Sequence, residues 1–162
     1  MPSERSLISY HEAGHALLAV HQRIPFRRVR MSAVDGAISG CRLLPGGEIG
    51  YLAMLAAGAA AETLVLGGYR PGHDAGVVCS RAFDQASLDT WTGDWDAYKR
   101  LRAAVRVSDA AITAIALRVI SRDWDTLQAL ARELSRSGGL AYSEVHAIVR
   151  AARYSRAQKE RP

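Results

Sequence analysis

The chain has 162 residues, is 49% hydrophobic and 23% charged, and carries a formal net charge of +5. This composition excludes a disordered or collagen-like chain and fits one domain spanning residues 1–162, large enough to bury its own core. Cys41 and Cys79 are the only cysteines and show no C-x-x-C spacing, which fits a reducing compartment and argues against a thiolate metal site. No secretory signal and no uninterrupted apolar run of about 18 residues is visible, so a cytoplasmic chain without a membrane segment is expected.

Apolar residues Leu7, Ile8, Leu17, Leu18 and Val20 predict a helix from about Ser6 to His21, ended by Pro25. Phe26 to Val34 alternates apolar and polar residues, and Asp35-Gly36 signals a turn. Ile38 to Leu44 then reads as the second strand of a hairpin, closed by Pro45-Gly46-Gly47. A helix rich in alanine follows from Glu48 to Leu66 and stops at Gly67-Gly68. Its small side chains suit close packing on the first helix. Gly67 to His73 is a loop, and Asp74 opens a helical stretch to about Leu88. Trp91-Thr-Gly-Asp-Trp95 reads as a break, after which two or three helices fill residues 97–152, interrupted at Ser137-Gly138-Gly139. Residues 153–162 read as a frayed tail, and Trp91, Trp95 and Tyr98 as core aromatics. The expectation is a mainly α (α+β) domain with a small β-sheet. Residues 1–95 would form its first half, and residues 96–152 a C-terminal helical bundle.

The chemistry concentrates in His11-Glu12-Ala13-Gly14-His15, an H-E-x-x-H pentapeptide inside the first helix. Residues four apart on a helix lie about 40° apart around its axis, so both imidazoles project from one face and can share one Zn²⁺. Glu12 stands beside them, placed to take a proton from a metal-activated water without ligating. A catalytic zinc takes a third protein ligand. His21 falls at the third-histidine position of the longer metzincin motif, but Leu18 replaces the glycine that motif needs. An unbroken helix then turns His21 about 120° from the His15 direction. Glu62, a charge in an otherwise apolar helix, and Asp74, at a loop-to-helix junction, both remain candidates from the residues alone.

Ser9-Tyr10-His11-Glu12-Ala13-Gly14-His15-Ala16-Leu17 resembles the metal helix of the peptidase domain of FtsH-type zinc metalloproteases. Val29-Arg30-Met31 through Gly40 is similar to the family's short sheet segment. Gly58-Ala59-Ala60-Ala61-Glu62 with Gly67 resembles its G-R-x-A-E helix, with Ala59 in place of the arginine. Gly72-His73-Asp74 occupies the place of its G-A-x-x-D ligand loop, and residues 124–149 look like its C-terminal helices. The resemblance implies a helical zincin-type metallopeptidase domain. It implies Asp74 as the third zinc ligand and Glu62 as a residue steadying a ligand histidine. No G-x-x-x-x-G-K-[ST] phosphate loop is present, so no ATP is expected to bind this chain, which would stand alone without the family's ATPase module.

The expected function is therefore zinc-dependent endopeptidase activity on flexible or unfolded polypeptide substrates, with Glu12 as general base. A separate ATPase or adaptor protein is a candidate partner. The alternative is a non-proteolytic zinc-containing module that binds or regulates a partner protein. Basic residues are spread over three segments with no nucleic-acid-binding motif, so nucleic acid is not an expected partner.

Overall fold

Ser3 starts the first helix: its hydroxyl accepts a hydrogen bond from the Ser6 amide at 3.2 Å, satisfying a donor that the first turn leaves free. Helix α1 then runs Glu4–His21, beginning two residues before the expected start at Ser6. It ends where Gln22 N–H donates to Leu18 O, and Arg23 takes φ 56° to turn the chain into Ile24 and Pro25. Ala13, Ala16, Leu17, Leu18 and Ala19 are wholly buried, which makes α1 the central rod of the domain. The computed structural model describes residues 3–32, 35–77 and 92–159.

The hairpin forms with shorter strands than the alternation indicates. Strand β1 is Arg28–Met31 and β2 is Gly36–Ser39, so Gly36 opens a strand instead of lying in the turn. Val29 and Met31 are buried while Arg28 and Arg30 face outward, as alternation requires. Pairing is antiparallel, with Arg28 opposite Ser39 and Met31 opposite Gly36. A third strand, β3 (Gly139–Ala141), pairs antiparallel with β1, giving the order β2-β1-β3. It had no expectation from sequence, because a three-residue strand whose first residue is the second of two glycines carries no readable period.

Helix α2 runs Glu48–Leu66, as its composition indicates. A methyl on Gly14 would lie 2.5 Å from the Ala57 carbonyl oxygen, so the backbones of α1 and α2 meet at a point where only glycine fits. By length and mean hydropathy (1.7), α2 could cross a bilayer, but 67% of that stretch is buried inside the domain. A core helix passes the same test.

Helix α3 (Thr92–Arg102) covers most of the segment expected as a break. Trp91, most of the helix expected over 74–88, Cys79 and Asp84 lie outside the described residues. Helix α4 (Asp109–Arg122) is capped by the Ser108 hydroxyl, which accepts from the Ala111 amide. Helix α5 (Trp124–Ser137) stops at Gly138, in the left-handed conformation at φ 73°. Helix α6 (Tyr142–Lys159) continues well into the segment expected to fray. Arg156 and Arg153 account for this extension. Arg156 donates to the buried Asp123 at 2.7 Å, and Arg153 reaches the His21 ring at 3.1 Å, which ties α6 to α1 and the α4–α5 junction. The described fold is mainly helical, with α2 and α5 packed on α1, α3 and α4 on α2, and one small antiparallel sheet.

Candidate metal centre

The one-face arrangement expected of His11 and His15 holds: their Nε2 atoms lie 3.0 Å apart. Helix α2 fixes both rings from behind. His15 Nδ1–H donates to the Met54 carbonyl at 2.8 Å, and His11 Nδ1–H donates to Glu62 Oε2 at 3.2 Å. Each bond holds a proton on Nδ1, so Nε2 is the atom left to face the shared point: a metal bound there would take its lone pair, and without one a proton on Nε2 is shared with Asp94. Glu62 thus sits where it can steady a histidine ring. Gly58, midway between Met54 and Glu62 on the same helix, makes room. A methyl there would meet His15 Nε2 at 2.5 Å and His11 Nε2 at 2.6 Å.

A third acceptor joins them. Asp94, in the first turn of α3, places Oδ2 2.9 Å from His15 Nε2 and 3.3 Å from His11 Nε2. A tetrahedral zinc with bonds of roughly 2.0–2.1 Å spaces its ligand atoms about 3.3 Å apart. The triangle of 2.9, 3.0 and 3.3 Å is close to one face of that tetrahedron. Three acceptors so close repel one another unless a cation lies among them, either a metal or a proton. The electrostatics agree. Although burial opposes it, Asp94 and Glu62 push His11 up to about 10. Against its own desolvation, Asp94 is held well below the usual carboxylate range by hydrogen bonds to His11 and His15.

The expected third ligand was Asp74. The fold instead commits Asp74 to capping. It is exposed, and its Oδ1 accepts from the Gly76 amide at 2.8 Å and the Val77 amide at 3.1 Å. The residue brought to the histidines is Asp94. His21, set aside on geometry, indeed turns elsewhere, 2.7 Å from Asp123 Oδ2 and beside Arg122 and Arg153.

Glu12 is 4% exposed, and its Oε2 has no hydrogen-bond partner among the described residues. Desolvation raises its pKa, opposed by the charges of His15 and His11. Its ligand-capable atoms and those of both histidines lie within 4.8 Å of one another. Gly36 of β2 covers it so tightly that a methyl there would come within 2.5 Å of Glu12 Oε1. A buried carboxylate without a partner is costly, on the order of several kcal/mol for an ion. Its retention beside three converging acceptors fits a metal and a water at this point.

Sequence reasoning missed Asp94, the Met54 carbonyl and the close fit of Gly36 and Gly58. The available signal for Asp94 was an acid in the first turn of an amphipathic stretch, a position that more often serves the helix dipole. In the comparisons with known proteins, no protein-family model and no curated sequence matches this chain.

Proposed function

We propose that the chain is a zinc-dependent endopeptidase of the helical zincin type, akin to the FtsH-type peptidase domain, acting on flexible or unfolded polypeptides. One observation carries the reading: His11, His15 and Asp94 converge on one point beside a buried carboxylate, Glu12, one oxygen of which has no partner among the described residues. The donor set, two imidazoles and one carboxylate, suits zinc and leaves a fourth position for water or substrate. When bound, zinc supplies Lewis acidity toward a carbonyl and an acidified water.

The remaining work falls to this chain's own residues. Glu12 accepts a proton from the attacking water and returns it to the leaving amine, and its raised pKa brings it nearer the range in which both transfers proceed. Met54 and Glu62 hold the imidazoles in orientation, which avoids reorganisation during reaction. Strand β2 stands at one edge of the sheet, with Gly36 against Glu12. An extended peptide added to that edge is carried toward the catalytic carboxylate. With no phosphate-loop motif to power unfolding, substrates would arrive already unfolded or through a separate ATPase or adaptor.

The test is cleavage of an unfolded protein such as casein by purified protein, after chelation and after re-addition of zinc. Chelation should abolish cleavage and zinc should restore it. Cleavage that survives complete removal of metal contradicts it.

A further inference from the structure

Away from the metal centre, three arginines and a histidine gather on one buried carboxylate, where the ends of α1 and α4 meet α6. The Asp123 side chain is 3% exposed. Its Oδ1 accepts from Arg156 at 2.7 Å, and its Oδ2 accepts from Arg122 at 3.0 Å and lies 2.7 Å from His21 Nε2. Although burial opposes it, these bonds hold Asp123 well below the usual carboxylate range, so the group is an anion.

The charges around it do not balance. Arg122, Arg153 and Arg156 bring three positive charges against one negative, and residues 110–122 and 145–159 contain no Asp or Glu to offset them. The hydrogen bonds do not balance either. With its Nε2 proton directed at Asp123, the His21 ring keeps a single lone pair, on Nδ1. Two guanidinium nitrogens converge on it, Arg122 Nη2 at 3.2 Å and Arg153 Nη2 at 3.1 Å, and one lone pair serves only one of them well. Cations in the last turn of a helix ordinarily complement its free carbonyls, and that role covers His21 and Arg122. It does not cover Arg153, which lies inside α6 and has no carboxylate partner among the described residues, yet is drawn in beside another guanidinium.

We propose that Arg122 and Arg153, flanking His21, form an oxyanion site that takes a phosphoryl group. A doubly charged oxyanion matches the two positive charges left over from Asp123, and its oxygens accept the guanidinium N–H groups that the single lone pair leaves over. Planar guanidinium forks fit phosphate oxygens in pairs. The Arg122 side chain is 56% exposed and Arg153 is exposed, so the group arrives directly from solvent. His21 lies six residues beyond His15 on α1 and about 120° around its axis. The site is thus separate from the metal centre and independent of the peptidase reading. Its ligand is either free phosphate or the phosphorylated side chain of a polypeptide.

The test is calorimetric titration of inorganic phosphate into the zinc-loaded full chain at constant ionic strength. Wild type is compared with Arg153→Ala, Arg153→Lys and Arg30→Ala, the last removing one exposed charge from β1 instead. Wild type and Arg30→Ala should bind phosphate with a Kd of about 1 mM. Arg153→Ala should weaken binding about tenfold or more, the usual worth of a hydrogen bond to a charged group. Arg153→Lys keeps the charge without the fork and should fall between. A phosphoserine peptide that displaces phosphate identifies a phosphorylated polypeptide as the ligand, and failure to displace it identifies the free anion; both outcomes uphold the site. Absence of phosphate binding overturns it, as does binding that Arg153→Ala leaves intact or that Arg30→Ala weakens equally. Arg153 is exposed and makes no bond to Asp123, so alanine there should leave the fold intact, which unchanged circular dichroism would verify.

Discussion

Replacing Gly58 by alanine probes the centre with one methyl group. That methyl would sit 2.5 Å from His15 Nε2 and 2.6 Å from His11 Nε2, where ordinary contact needs about 3.4 Å. Each ring must therefore retreat by nearly 1 Å. Neither can do so freely, because their Nδ1 atoms are held by Met54 and Glu62. Zinc–ligand distances tolerate only about 0.2 Å. Perturbing a single outer-shell partner already costs 10–100-fold in affinity, so displacing two ligands should cost at least about 100-fold. The helix itself gains from the change, since alanine favours a helix interior over glycine by about 1 kcal/mol. Loss of zinc with helicity retained would thus report the site and not unfolding. The assay is competition with a colorimetric zinc chelator, paired with circular dichroism. Wild-type zinc affinity in Gly58→Ala would refute the placement of the metal on the Nε2 side.

Other expectations follow from the same geometry. Asp94→Ala should lower zinc affinity by two or more orders of magnitude, whereas Asp74→Ala should leave it within a factor of about two, both read by the same competition. Glu62→Ala removes the partner of His11 Nδ1 and should weaken zinc binding about 10–100-fold without removing a ligand. In the metal-free protein His11 keeps its proton up to about pH 10, so zinc must displace it. Affinity should therefore rise about tenfold per pH unit between pH 7 and 9 and level off as pH nears 10, with close to one proton released from His11. The sign for folding is the opposite: with His11 raised from 6.5, its proton stabilises the metal-free fold fully below pH 6.5, and that contribution is lost as pH rises through about 10.

What could be read from sequence was what one helix determines by itself. The H-E-x-x-H spacing sets two imidazoles on one face whatever surrounds them, and the alanine content of 48–66 forecast the close crossing seen at Gly14 and Ala57. Glu62 could also be read, because a charge in an apolar helix needs a partner, and His11 supplies it. The third acceptor was not legible, since it depends on where α3 docks after a long connection. Thr92-Gly93-Asp94 looks like a break in one dimension and becomes a helix start in three. Asp74 was ambiguous because a capping aspartate and a ligand aspartate are identical in sequence; in the structure its Oδ1 accepts from Gly76 and Val77. The core expectation for the aromatics holds for one of the two that are described: Tyr98 is buried at 7% exposure, while Trp95 is 45% exposed.

The most direct test of the account compares casein cleavage by wild-type and Glu12→Gln proteins at equal, measured zinc content. Glu12 is not among the proposed zinc ligands His11, His15 and Asp94, so zinc should bind both, while cleavage should fall by about 10²–10⁴-fold in the variant, the usual contribution of a general base. Equal cleavage by the two proteins would contradict the claim that this carboxylate and the His11–His15–Asp94 centre form a hydrolytic site.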